Sequence, residues 1–197
     1  MDWGSIIESL VRGLIGESFI VFALAAIGLN VHFGFTGLLN FGQAVFMAAG
    51  AYGLAMMVAT IGPAANRNFG WNLSEGTLFW LGIFVGVIVF PVIFALVMGI
   101  PTLRLRADYL AIVTIAVAEI FRIVVRSPTP GIKKWTNSSD GLTGFSGTFY
   151  DMSPFGTQER YLFNLFTGNQ MFLVIVGWVV LAIAATICWL LIRSPWG

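Results

Sequence analysis

SFIVFALAAIGLNVHFGFTGLLNFGQAVFMAAGAYGLAMMVATIGPAAN, residues Ser18 to Asn66, carries no formal charge if His32 is neutral. A water-soluble domain of ordinary composition does not sustain 49 uncharged residues. A bilayer crossing takes about 20 predominantly apolar residues, so this stretch has room for two. Its middle differs from its arms: Gly34, Thr36, Gly37, Asn40, Gly42 and Gln43 gather helix-breaking and hydrogen-bonding residues between two apolar segments. Only helices or closed barrels satisfy every backbone group in lipid, and long apolar runs without period-2 alternation exclude the barrel. The expected fold is therefore all-α, a polytopic transmembrane helix bundle of about five membrane-embedded helices. A broken or re-entrant segment is expected near 34–43.

The rest of the chain agrees with a lipid environment. Of its 197 residues 58% are hydrophobic and 10% charged, with a mean hydropathy of +0.89. Soluble domains carry about 25% charge. The deficit leaves no stretch for a separate soluble domain, so residues 1–197 read as a single transmembrane domain. A net charge of +1 selects no charged partner and offers nothing to nucleic acid. Cys188 is the only cysteine, which excludes an internal disulfide and suits a small apolar side chain in a helix. The start, Met1-Asp2-Trp3-Gly4, lacks a basic region and an Ala-x-Ala site, so no removable signal peptide is expected.

Outward from the opening stretch, residues 1–17 place Ile6, Ile7, Leu10 and Leu14 at helical spacing among Asp2, Glu8, Arg12 and Glu17, as in a short interfacial helix. Crossings are expected at 18–35, 43–62, 77–100, 107–126 and within 162–192, most clearly 171–192. Residues 63–76 read as a loop containing Pro63, Asn66, Arg67, Asn68 and Trp71. Residues 127–160 form a polar extramembrane loop rich in Pro, Gly, Ser, Asn and Asp. Trp80, Tyr109, Tyr161, Trp189 and Trp196 fall near crossing ends, as interfacial aromatics do. The pairs Ala49/Gly53 and Ala182/Thr186 have the spacing that lets helices approach closely, which is also the average character of membrane helices.

Unpaired amide and imidazole groups are costly in hydrocarbon, so Asn30, His32, Thr36, Asn40 and Gln43 should face a polar pathway or one another. Gly34, Gly37 and Gly42 permit the backbone to unwind there, as in the broken helices of transporters. A glycine-rich hairpin turn is the plainer alternative. His32 stands without a partner motif and suits a hydrogen-bonded structural role. Glu119 and Arg122 lie three apart on one helix face, close enough to pair; they could line a pathway or simply neutralise each other near a helix end. No metal-ligand cluster, nucleophile motif or phosphate loop is present, and the only lysines are Lys133 and Lys134. No catalytic residue and no cofactor are expected, and any ATP must be hydrolysed by another subunit.

Gly28-Leu29-Asn30 with Gly34-Phe35-Thr36-Gly37-Leu38-Leu39-Asn40-Phe41-Gly42-Gln43 and Gly50-Ala51-Tyr52 resembles the signature of branched-chain amino acid ABC transporter permeases. Thr102–Thr114, continuing to Glu119-Ile120-Phe121-Arg122, looks like a second block of that family. Asp140-Gly141-Leu142-Thr143-Gly144 is similar to a third, and Arg193-Ser194-Pro195-Trp196-Gly197 to a fourth. The four blocks occur in order over nearly the whole chain.

The resemblance implies an inner-membrane permease working with a second homologous permease, two cytoplasmic ATPase subunits and an extracytoplasmic substrate-binding protein. Its cargo would be leucine, isoleucine or valine; urea or a short amide, carried by permeases of the same superfamily, would suit Asn30, Asn40 and Gln43 equally. Arg193, Ser194 and Pro195 would lead into the segment that couples to the ATPase, and the chain reads as truncated before that segment. The implied orientation puts Arg104, Arg106 and Arg193 in the cytoplasm. It puts Arg12, Arg67, Arg126, Lys133, Lys134 and Arg160 outside, against the positive-inside tendency. An ion-coupled carrier or channel built on Glu119, Arg122 and His32, and a non-transport membrane scaffold, are the readings from other classes.

Overall fold

The computed structural model describes residues 3–35, 37, 40–102, 107–157, 159–162 and 164–194. Four of its helices are long and apolar enough to cross a membrane: Trp3–Phe35, Gln43–Phe69, Glu75–Ile100 and Gly168–Arg193. The helix expected at 107–126 is present as Ala107–Val125, but it carries Asp108, Glu119 and Arg122. Beyond short turns, the described residues contain one two-residue antiparallel pairing. The chain is an all-α, multi-pass membrane protein. It divides into two compact units, Met1–Gly37 with Tyr150–Gly197, and Leu38–Phe149.

In the first unit, α1 (Trp3–Ile15) is the amphipathic helix expected at the N-terminus. It ends at Gly16, whose extended backbone (φ −71, ψ 176) separates it from α2 (Glu17–Leu29). The helix α10 (Gly168–Arg193) packs along α2. Ile20, Leu165, Phe166, Val174 and Leu181 form the buried core between them. Trp178 stacks on Phe19 with ring centroids 5.7 Å apart and donates its indole N–H to Ile15 O at 3.1 Å. Gly177 faces Ile20 at this contact, whereas Ala182 and Thr186 are exposed and Thr186 bonds back to Ala182 O on its own helix. The short helix α9 (Gly147–Asp151) precedes α10 in the chain, and between them β1 (Arg160–Tyr161) pairs with β2 (Phe166–Thr167). Tyr161 donates to Glu159 at 2.6 Å, and that bond to the carboxylate holds the phenol above its ordinary pKa.

The second unit is organised by α3 (Gln43–Met56). A π-helical turn, Met57–Ile61, joins it to α4 (Gly62–Phe69), so the second crossing continues through Pro63 instead of entering the expected loop at 63–76. Proline inside a helix clashes with the carbonyl four residues back and supplies no N–H. The wide turn relieves this: Gly62 N–H reaches five residues back to Met57 O, immediately before Pro63. The same device recurs in the next helix. There α5 (Glu75–Gly82), a π-helical stretch (Ile83–Val89) and α6 (Phe90–Thr102) run on, and Phe90 N–H reaches Val85 O just before Pro91. Valines and isoleucines such as Val92, Ile93, Val97 and Ile100 are more than half exposed, a lateral apolar face that fits lipid and not water.

The hairpin between α4 and α5 is closed by one side chain. Asn66 Nδ2 donates to Leu73 O and Asn66 Oδ1 accepts from Leu73 N–H, both at 2.9 Å, while Ser74 caps α5 by accepting from Thr77 N–H at 3.3 Å. Asn66→Leu removes both bonds across the turn. It should lower stability by about 1–3 kcal/mol, read as an earlier thermal unfolding midpoint in detergent; an unchanged midpoint would show the turn closes without it.

The tightest packing joins α3 to the stretch Ile83–Val89. A Cβ placed on Gly53 would lie 2.6 Å from Gly86 Cα, and one on Gly86 would lie 2.1 Å from Leu54 N. Backbone meets backbone there, with Ala49 buried one turn away, as the Ala49/Gly53 spacing suggested.

Candidate functional site

The helix begun at α2 closes in a π-helical turn, Asn30–Phe35, and resumes only at Gln43. Gly37 (φ +67) and Asn40 to Gly42, the described residues between, are non-helical. The expected break is therefore present. Thr36 and Pro195 lie outside the described residues.

Within the first unit, Asn30 folds its carboxamide over Gly34: a Cβ there would meet Asn30 Oδ1 at 2.2 Å. Only glycine leaves room for that placement. Asn30 and His32 are both exposed in this chain.

Within the second unit the unwound segment is fastened before α3 begins. Asn40 Oδ1 accepts from Gly42 N–H at 2.9 Å, an Asx turn that delivers the chain to Gln43. Phe41 N–H donates to Thr114 Oγ1 at 3.2 Å, and the same hydroxyl donates to Ala111 O at 2.9 Å. Thr114 lies on α7 (Ala107–Val125) and is fully buried. Its Cβ would sit 3.3 Å from a Cβ on Gly42, with Met98 Cε at 3.4 Å. The first motif thus docks on the second through Thr114, the last residue of the block at 102–114, whose role the sequence left open: a single threonine in an apolar helix has no periodic signature. Gln43 is half-buried at the head of α3.

Farther along α3 the third motif closes over it. The helix α8 (Pro130–Thr136) ends in a loop with left-handed backbone at Asn137, Ser138, Gly141 and Gly144. Hydrogen bonds hold this loop: Ser138 Oγ donates to Arg126 O at 2.8 Å, and Ser138 N–H donates to Thr136 Oγ1 at 3.3 Å. Asn137 Nδ2 donates to Gly141 O at 2.8 Å. Between loop and helix lies a largely open cleft of about 210 Å³, lined by Ala51, Tyr52, Ala55, Gly141, Leu142 and Phe145.

Glu119 and Arg122 make the expected pair in bidentate form, with Arg122 Nε donating to Oε2 at 2.9 Å and Nη2 to Oε1 at 2.5 Å. Both side chains are about half exposed. Neither lines the cleft, and neither takes part in the Phe41–Thr114 hydrogen bond. At the end of α10, Arg193 lies over the Trp189 ring, 4.4 Å from its centroid, and Ser194 bonds Leu191 O at 2.7 Å. Among the described residues, no three His, Cys, Asp or Glu side chains gather as a metal site requires.

Residues 13–197 match the family model described as branched-chain amino acid transport system / permease component. The chain is 34% identical over 110 residues to the high-affinity branched-chain amino acid transport system permease protein LivM of Salmonella typhimurium strain LT2, covering 56% of this chain and 22% of that protein. It is 36% identical over 111 residues to the protein of the same name from Escherichia coli strain K12, with the same coverage. The matched region is thus a minor part of both relatives. No solved structure matches the chain.

Proposed function

From the fact that this chain belongs to the branched-chain amino acid transport permease family, we propose that it is the transmembrane permease subunit of an ATP-binding-cassette importer for leucine, isoleucine and valine. The observation that carries the reading is the family match over residues 13–197, borne by a chain with four apolar helices long enough to span. Its partners are a second homologous permease in the inner membrane and two cytoplasmic ATPase subunits, with an extracytoplasmic substrate-binding protein delivering cargo. ATP hydrolysis falls to those partners, since neither Lys133 nor Lys134 sits in a phosphate loop. The chain contributes one permease domain, with 127–160 outside the membrane and Arg193, Ser194 and Pro195 leading toward the ATPase.

In this reading Asn30, His32, Thr36, Asn40 and Gln43 line the passage. Gly34, Gly37 and Gly42 let its backbone unwind, and Glu119 with Arg122 forms a neutralised pair on α7. The permease is passive: partners select between two access states, and cargo moves because each state opens to one side. The test is leucine uptake into vesicles holding the chain and its ATPase partners. Uptake is expected to require ATP and to survive collapse of proton and sodium gradients. Uptake driven by a gradient without ATP would reject the proposal. In the same vesicles Asn40→Leu should insert normally yet slow uptake at least about tenfold, the effect of mispositioning a transport segment; unchanged uptake would reduce residues 34–43 to a hairpin turn.

A further inference from the structure

We propose that the cleft between α3 and the loop after α8 receives the branched aliphatic side chain of the transported amino acid, an assignment that rests on the permease reading above. The cleft has the right size. An apolar cavity of roughly 150 Å³ accommodates benzene, so about 210 Å³ holds an isobutyl or sec-butyl group, while drug-sized ligands need about 300 Å³ or more. It has the right chemistry. Ala51, Ala55, Leu142 and Phe145 offer methyl, isobutyl and aromatic carbon, Tyr52 adds a ring with a polar tip, and no charged residue lines the wall. The ammonium and carboxylate of the cargo therefore remain at the open mouth.

The cleft is also built to keep its shape. Its helical wall is pinned by the backbone contact of Gly53 with Gly86. Its loop wall is held by Ser138 on Arg126 O and Asn137 on Gly141 O. A rigid wall on both sides turns side-chain size into selectivity, because a single methylene in such a pocket changes discrimination by about 10–200-fold. Leu142 and Ala51 are then specificity-determining residues. Ala51 is exposed on the α3 surface, so enlarging it fills the cleft without disturbing the core.

The probe is photo-leucine, a diazirine analogue of leucine, irradiated with the reconstituted permease and its partners and mapped by peptide mass spectrometry. Adducts are expected at 51–55 and 141–145, suppressed by excess leucine and untouched by excess lysine. Ala51→Phe should reduce them at least about tenfold. Leu142→Ala, which widens the cleft, should keep them and make phenylalanine a stronger competitor than it is for the unaltered chain. Leucine-protected adducts confined elsewhere, or none at all, would overturn the assignment. So would labelling and competition indifferent to both substitutions. ATP-dependent leucine uptake, measured in parallel, separates the two failures: uptake with adducts elsewhere overturns the cleft alone, and absent uptake overturns the permease reading with it.

Discussion

Gly86→Ala is expected to destabilise the 38–149 unit by about 3 kcal/mol, the upper end for an overpacked site, and Gly86→Leu to prevent recovery of folded protein from detergent extracts. The reason is the identity of the atoms in the way. A methyl at residue 86 meets Leu54 N at 2.1 Å, Gly53 C at 2.4 Å and Leu54 Cα at 2.8 Å. A flexible side chain could rotate aside, but backbone cannot without parting the two helices. Parting them removes the contact on which α3 is held. Gly99, on the same continuous helix, has nothing within 4 Å of its Cβ direction, so Gly99→Ala supplies the control. Similar unfolding midpoints for Gly86→Ala and Gly99→Ala would refute the close crossing.

Thr114→Val carries the second large effect. The two side chains have nearly the same shape, so packing survives while the hydroxyl is lost. Phe41 N–H then loses its acceptor in a part-buried bond, and a donor left unsatisfied costs up to about 1–3 kcal/mol. Lipid offers no water to replace the bond. The expected outcome is a lower unfolding midpoint together with slower leucine uptake, because the lost bond fastens the unwound segment to α7. Thr114→Ser keeps the hydroxyl and should restore most of both. A valine variant matching the parent in midpoint and in uptake would remove Thr114 from any positioning role.

These two residues mark where reading the chain alone falls short. Crossings at 18–35, 77–100 and 171–192 are visible as apolar runs because lipid selects for composition over about 20 residues, and spanning helices fall there. At 107–126 a helix forms, but with Asp108, Glu119 and Arg122 along it it is not among the four apolar enough to span. The end of the second crossing is not visible. Pro63 reads as a breaker, and nothing local announces that a π-helical turn will accommodate it, as another does Pro91. Spacing exposed the Glu119–Arg122 pair, since residues three apart on a helix share a face. It also exposed half of the close crossing, through Ala49 and Gly53. The other half, Gly82 and Gly86, repeats that four-residue spacing, and only the partner helix shows it in use: a Cβ on either glycine would meet Leu54.

The site divides in the same way. That a helix would break around 34–43 follows from its glycines and amides. That Asn40 caps Gly42 is a local Asx turn; that Thr114 receives Phe41 is a tertiary fact joining residues 73 apart in sequence. The cleft beneath Leu142 and Phe145 is likewise made by a loop far from α3 in the chain. Polar residues in an apolar sequence identify where hydrogen bonds must be found, but not which partner supplies them.

The account stands on the unwound segment before α3 being docked against α7. A Cβ on Gly42 lies 3.3 Å from Thr114 Cβ, slightly closer than the roughly 3.5–4.5 Å that a disulfide spans, so a small outward shift brings the pair into range. In membranes carrying Gly42→Cys and Thr114→Cys in a Cys188→Ser background, mild oxidation is predicted to protect both thiols from maleimide, reversibly with reductant. Two thiols that stay fully reactive after oxidation would contradict it.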